Sequence, residues 1–143
     1  MAGKPRYNQW WGESHKKWSA LSSEGKAHGF YPDEVDRLTT NAERGAYEWL
    51  VSLGLADRWA ERLGDRLLER TYSDLTAEPR AVLSDICAHF EVGTPDAWLE
   101  TSASMLSPER KNAGATVTLP PAMAAQFNAY QERFGFDGRA EAK

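Results

Sequence analysis

The sequence predicts a mostly α-helical chain carrying one or two short strands. Three features lead there. A long stretch from Ala46 to Leu63 repeats its apolar residues at helical spacing behind a capping box. Prolines stand at the openings of three further amphipathic stretches, at Pro79, Pro95 and Pro120-Pro121. Only Arg66 to Tyr72 and Thr116 to Leu119 read as extended.

Taken in order, the segment before Thr40 is aromatic and irregular. Tyr7, Trp10, Trp11, Trp18, Phe30 and Tyr31 alternate with glycines at 12, 25 and 29. Trp11 and Trp18 lie seven apart, which suits one face of a short helix. Thr40-Asn41-Ala42-Glu43 then offers a hydroxyl at a helix N-cap and a carboxylate three residues on. Ala46, Trp49, Leu50, Leu53, Ala56, Ala60 and Leu63 continue as one buried face, with Gly64 as a stop. Arg66 to Tyr72 is expected as a strand. Pro79 starts a helix with the stripe Val82, Leu83, Ile86 and Phe90. Thr94-Pro95 starts another, carrying Trp98, Leu99 and Met105. Residues 107–119 read as a loop with the short extended piece at its end. A last helix presents Met123, Phe127, Tyr130 and Phe134 before Gly135 stops it. The expected organisation is an irregular segment over 1–39 with a short helix, a main region over 40–138, and a frayed tail over 139–143. A lone strand cannot satisfy its backbone groups. Thr116 to Leu119 pairs with it, or its partners lie in other polypeptide, or the segment is not a strand.

Composition narrows the function classes. In 143 residues, 41% are hydrophobic and six are tryptophan, enough to build a core, and 27% are charged, as in ordinary soluble proteins. A net charge of −4 and a pI near 5.4 argue against nucleic-acid binding through bulk electrostatics. The single cysteine, Cys87, excludes an internal disulfide and fits a cytoplasmic setting. Met1 to Tyr7 has no apolar run of a secretory signal, and nothing approaches the roughly 18 apolar residues of a membrane span.

The order of an extended segment, Tyr72-Ser73-Asp74-Leu75, Pro79 and an amphipathic helix ending Cys87-Ala88-His89-Phe90 is specific in combination. It resembles the sulfotransferases that use the sulfate donor PAPS, in which an apolar strand ends in Tyr-Glu-Asp-Leu, followed by a proline and a helix ending near Phe-Leu-Gly. The helix with Tyr47, Trp49, Val51 and Trp59 looks like the family's tryptophan-bearing helix upstream. Thr101-Ser102-Ala103-Ser104-Met105 is similar to its Thr-Ser-Phe-x-x-Met. Ser107 to Gly114 sits where the family carries an Arg-Lys-Gly loop, and Phe134-Gly135-Phe136 where its closing helix ends. The likeness is colinear over roughly residues 40–138. Departures are Glu69 and Arg70 within a usually apolar strand, Ser73 for a carboxylate, and Asn112 for a glycine.

This resemblance implies an α/β class: the C-terminal half of a P-loop NTPase-like α/β/α sulfotransferase fold. It implies PAPS as donor co-substrate and no metal. Four residues would face the donor. Tyr72 would lie at the adenine, its ring stacking and its hydroxyl hydrogen-bonding; the ordinary alternative is a tyrosine closing a buried strand. Arg110 and Lys111 would meet the 3′-phosphate, with Gly114 letting the backbone approach; the alternative is a solvated basic loop. Thr101 and Ser102 read more simply as the end of a helix, and Asp74 as a cap or orienting group of the turn. The tryptophans at 49, 59 and 98 are expected in the core. Trp10, Trp11 and Trp18 pack in the core by default, with a lid or a partner-facing cluster as the other reading. No catalytic role falls to His15, His28 or His89, and the histidines and Cys87 lack metal-ligand spacing.

The family's phosphate loop, roughly Pro-Lys-[Ser/Ala]-Gly-Thr-[Thr/Ser], does not occur in the sequence. Its catalytic base would also come from that half. The expectation is a truncated, split or degenerate member: a sulfotransferase-like protein inactive alone. Its partners would be the nucleotide donor and a small-molecule acceptor, with an N-terminal half or self-association supplying the rest. Nucleic acid and membrane are not expected. The rival expectation is a small non-catalytic helical binding module.

Overall fold

A carboxylate at the start of the longest helix organises much of the fold. In the computed structural model, which describes residues 10–106 and 116–143, that helix is α2, Asn41–Leu63. The Thr40 hydroxyl accepts the Glu43 N–H at 3.2 Å, and Glu43 accepts the N–H groups of Thr40 at 2.9 Å and Thr39 at 2.7 Å. The capping box expected from the sequence is thus formed. Ahead of α2 lies α1, Lys16–Ala27. After it come α3, Tyr72–Ala77, α4, Pro79–His89, and α5, Asp96–Ser104. The chain then runs through β1, Thr116–Leu119, α6, Pro121–Arg133, and β2, Arg139–Ala142. The described chain is mostly helical with two short parallel strands.

Two compact units are formed, one by 1–58 with 113–143 and the other by 59–112. The first is built on the buried face of α2: Ala46, Tyr47, Leu50 and Val51 pack with Val35, Leu119 and Met123. Around it run edge-to-face aromatic contacts, Trp11 to Trp18 at 5.7 Å and Trp18 to Tyr47 at 5.6 Å. Trp11 is buried but precedes α1 rather than lying on it. Trp10 is exposed, its indole N–H donating to Glu48.

β1 pairs with β2 in parallel, Thr116 opposite Arg139 and Leu119 opposite Ala142, with α6 as the crossover. The tail expected to fray is therefore ordered. A two-stranded pair is marginal by itself, and α6 supplies what a third strand would. Asn128 donates to the Ala140 carbonyl at 3.0 Å and accepts its N–H at 2.8 Å, while Gln131 accepts the Gly138 N–H at 3.0 Å. α6 ends as its sequence dictates, at Gly135 with φ +65°.

Asp57 joins α2 to α6. It accepts the Tyr130 hydroxyl and an Arg133 N–H, each at 2.6 Å. Burial pushes its carboxyl up, but these hydrogen bonds outweigh that and hold it below the usual carboxylate value. Tyr130 is pushed up to about 12, by burial first and then by Asp57. Asp57→Ala leaves the Tyr130 hydroxyl without its acceptor, and urea unfolding is expected to show a loss of about 1.5 kcal/mol, limited by the exposure of the Arg133 pair.

In the unit of 59–112, Val82, Cys87 and Leu99 form the buried centre. Arg80 on α4 pairs with Asp96 and Glu100 on α5. The expected strand over Arg66 to Tyr72 is not formed. Gly64–Arg66 is a 3-10 turn, residues 67–71 have no ladder partner among the described residues, and Tyr72 opens α3. Local chemistry explains the difference: the Thr71 hydroxyl accepts the Asp74 N–H at 3.0 Å, committing the following residues to a helix.

Two tryptophans also depart from expectation. Trp49 packs on Phe127 at 5.0 Å, as a core residue should. Trp59 and Trp98 are instead 51% and 44% exposed, and Phe90, expected on a buried stripe, is 66% exposed. A unit of this size has too little interior for all its aromatics.

Candidate functional site

Tyr72 stands at a junction defined by three local devices. Leu67, with φ −111° and ψ 123°, and Thr71, with φ −82° and ψ 153°, bracket an extended approach. Thr71 then caps α3 reciprocally, its hydroxyl also donating to Asp74 Oδ2 at 2.7 Å. The buried Thr76 hydroxyl donates to the carbonyls of Tyr72 at 3.0 Å and Ser73 at 3.1 Å, fixing the first turn from inside. Pro79 follows in the first turn of α4, where its missing N–H costs nothing. The result is a hydrogen-bonded corner from which the Tyr72 side chain projects half-exposed.

Of the four residues expected to face a donor, Tyr72 therefore has a ring accessible to a ligand. Arg110, Lys111 and Gly114 lie outside the described residues. Asp74 serves the cap, as expected of it. Thr101 and Ser102 lie within α5, the Thr101 hydroxyl donating to the Ala97 carbonyl at 2.8 Å.

The histidines serve local structure. His15 Nδ1 accepts from Arg44 at 2.9 Å, His28 follows the last turn of α1, and His89 Nε2 donates to the Arg66 carbonyl at 3.3 Å. Among the described residues no group of three or more His, Cys, Asp or Glu is arranged to hold a metal ion. No helix among them is long and apolar enough to cross a membrane.

One feature escaped sequence reasoning. In the unit of 59–112 a groove of about 440 Å³ opens beside the extended approach to Tyr72, bounded by the end of α2, residues 66–70 and the end of α4. Its signal was present in Leu67-Leu68, Ile86 and Phe90, apolar residues assigned to strand and core. The Thr71 cap was legible too, since Thr71-Tyr72-Ser73-Asp74 is a capping sequence.

Comparison of the chain with models of known families, with curated proteins and with solved structures gave no match.

Proposed function

We propose that the chain carries the donor-facing C-terminal elements of a PAPS-dependent sulfotransferase, an α/β enzyme class, and binds the nucleotide without transferring sulfate by itself. The observation that supports this reading is the Tyr72 corner. An extended approach, a capped turn Tyr72-Ser73-Asp74-Leu75 and a proline-initiated helix follow one another in the family's order, and the tyrosine ring stays accessible.

In the intact reaction a base removes the proton of an acceptor hydroxyl or amine. That atom forms a bond to sulfur as the bridging S–O bond to the donor phosphate breaks, releasing adenosine 3′,5′-bisphosphate. Tyr72 stacks on the adenine. Arg110 offers a planar fork and Lys111 a point charge to the 3′-phosphate, and Gly114 lets the backbone approach. The groups that cradle the 5′-phosphosulfate and activate the acceptor have no counterpart in the 143 residues. A reducing cytoplasmic setting accompanies this reading, since the buried Cys87 is a free thiol.

Adenosine 3′,5′-bisphosphate at a hundredfold excess over its dissociation constant is expected to stabilise the protein by about 2.7 kcal/mol, read as a rise in Tm. Tyr72→Ala and Arg110→Ala each abolish the rise, while the purified chain transfers no labelled sulfate. A Tm unmoved by the nucleotide rejects the proposal.

The second reading, a non-catalytic binding module, is favoured by the exposure of Trp59, Phe90, Val92, Trp98 and Met105 within one small unit. The same titration separates the two, because such a module ignores the nucleotide.

A further inference from the structure

We propose that the groove in the unit of 59–112 binds a small amphipathic anion, an apolar body bearing one carboxylate or sulfonate-type head. Its walls are Leu63, Leu67, Leu68, Ile86 and Phe90. At about 440 Å³ it falls in the size range of small-molecule sites, roughly 300–1,000 Å³. Tyr72 is not among its lining residues, so the groove stands apart from the donor reading.

Charge selects the occupant. No aspartate or glutamate lines the groove; its polar residues are Arg66, Arg70 and His89. Arg70 is neutralised by Asp85 at 3.0 Å. The Arg66 guanidinium has neither hydrogen bond nor ion pair among the described residues. Its backbone is held in place, because Gly64–Arg66 is a 3-10 turn and the Arg66 carbonyl accepts from His89 Nε2. The groove thus combines an apolar wall with one uncommitted cation carried on an anchored backbone. A cationic ligand finds no counter-charge there. A neutral apolar ligand leaves the guanidinium unused. An anion with an apolar body engages both, through charge-assisted hydrogen bonds at one end and burial at the other.

The test is a titration of the ¹⁵N-labelled full chain with naphthalene-2-sulfonate, naphthalene-2-acetate and 2-naphthaleneethanol, followed by amide shifts. Either anion is expected to bind at least fivefold more tightly than the alcohol, with shifts concentrated at residues 66–70 and 86–90. Arg66→Gln is expected to bring the anions down to the alcohol's affinity without changing Tm, since Arg66 is exposed. Equal binding of alcohol and anions, shifts centred elsewhere, or unchanged affinity in Arg66→Gln overturns the proposal. So does the competing occupant, an added peptide strand: a peptide that protects the amides of 67–71 from exchange while neither anion shifts them.

Discussion

Gly25→Ala is expected to lower stability by about 3 kcal/mol. Gly25 lies buried in α1, and a Cβ placed there would stand 2.0 Å from the Tyr47 hydroxyl oxygen and 3.0 Å from Cζ of the same ring. Tyr47 has nowhere to go. Its side chain is fully buried, its hydroxyl donates to the Phe30 carbonyl at 3.2 Å, and its ring meets Trp18 and Tyr31 edge-on. The methyl group therefore forces either a backbone shift of α1 or the loss of a buried hydrogen bond. Overpacking costs about 1–3 kcal/mol, and an unsatisfied buried group a similar amount. Alanine's better helix propensity returns less than about 1 kcal/mol. In thermal denaturation the change amounts to roughly 10 °C. Tyr47→Phe removes the nearest clashing atom, so the double variant should be less destabilised than the two single changes summed. Gly93→Ala is the control, because a Cβ there meets nothing within 4 Å.

Glu43→Ala is expected to cost a similar amount, about 3 kcal/mol, by a different route. The Glu43 carboxylate is the meeting point of the Thr39 and Thr40 N–H groups and of the Lys143 ammonium at 2.5 Å. Burial pushes its carboxyl up, but the hydrogen bonds from Lys143, Thr40 and Thr39 outweigh it and hold the group at about 2. Removing it strips a helix cap and leaves Lys143 without its buried counter-charge. Because the folded state holds the carboxyl below its unfolded value of 4.5, the unfolded chain binds the proton more readily. The contribution is therefore fully present above about pH 4.5 and drains away as pH falls to about 2. Urea unfolding of wild type and Glu43→Gln between pH 2 and pH 6 should give curves that diverge with rising pH. Parallel curves would show that the carboxylate's charge contributes nothing.

The elements legible in the sequence are those whose signals are local. The cap at Thr40, the proline at α4, the apolar face of α6 and the stop at Gly135 each depend on residues within four positions of one another. The misread elements depended on distance or on a choice between local signals. Thr116 to Leu119 was visible as extended, but its partner at Arg139 to Ala142 lies beyond a helix, and the side-chain amides of Asn128 and Gln131 that hold β2 carry no sequence mark of that role. At Thr71 two local signals competed, an extended run behind and a capping hydroxyl ahead, and the hydroxyl won. Burial of Phe90 is expected from periodicity and that of Trp59 and Trp98 from their large apolar rings, and neither signal says how much interior is available to cover them. Of the residues expected to face a donor, Tyr72 stands half-exposed at the start of α3, and Arg110, Lys111 and Gly114 lie outside the described residues. The groove beside the approach to Tyr72 arises from three segments of chain, and periodicity within any one of them does not reveal a concavity.

The start of α6 is capped from far away. Pro120 and Pro121 bring no N–H of their own to its first turn, and the next two donors, on Ala122 and Met123, both reach the Glu34 carboxylate at 3.2 Å. These residues are separated by 88 and 89 positions, so the closing loop spans more than half the polypeptide. The helix consequently cannot complete its own end before the Tyr31 to Arg37 region has docked, and melting of that early region uncaps α6 at once. A contact of such long range is a loop closure that folding must complete before the first turn of α6 has its acceptor.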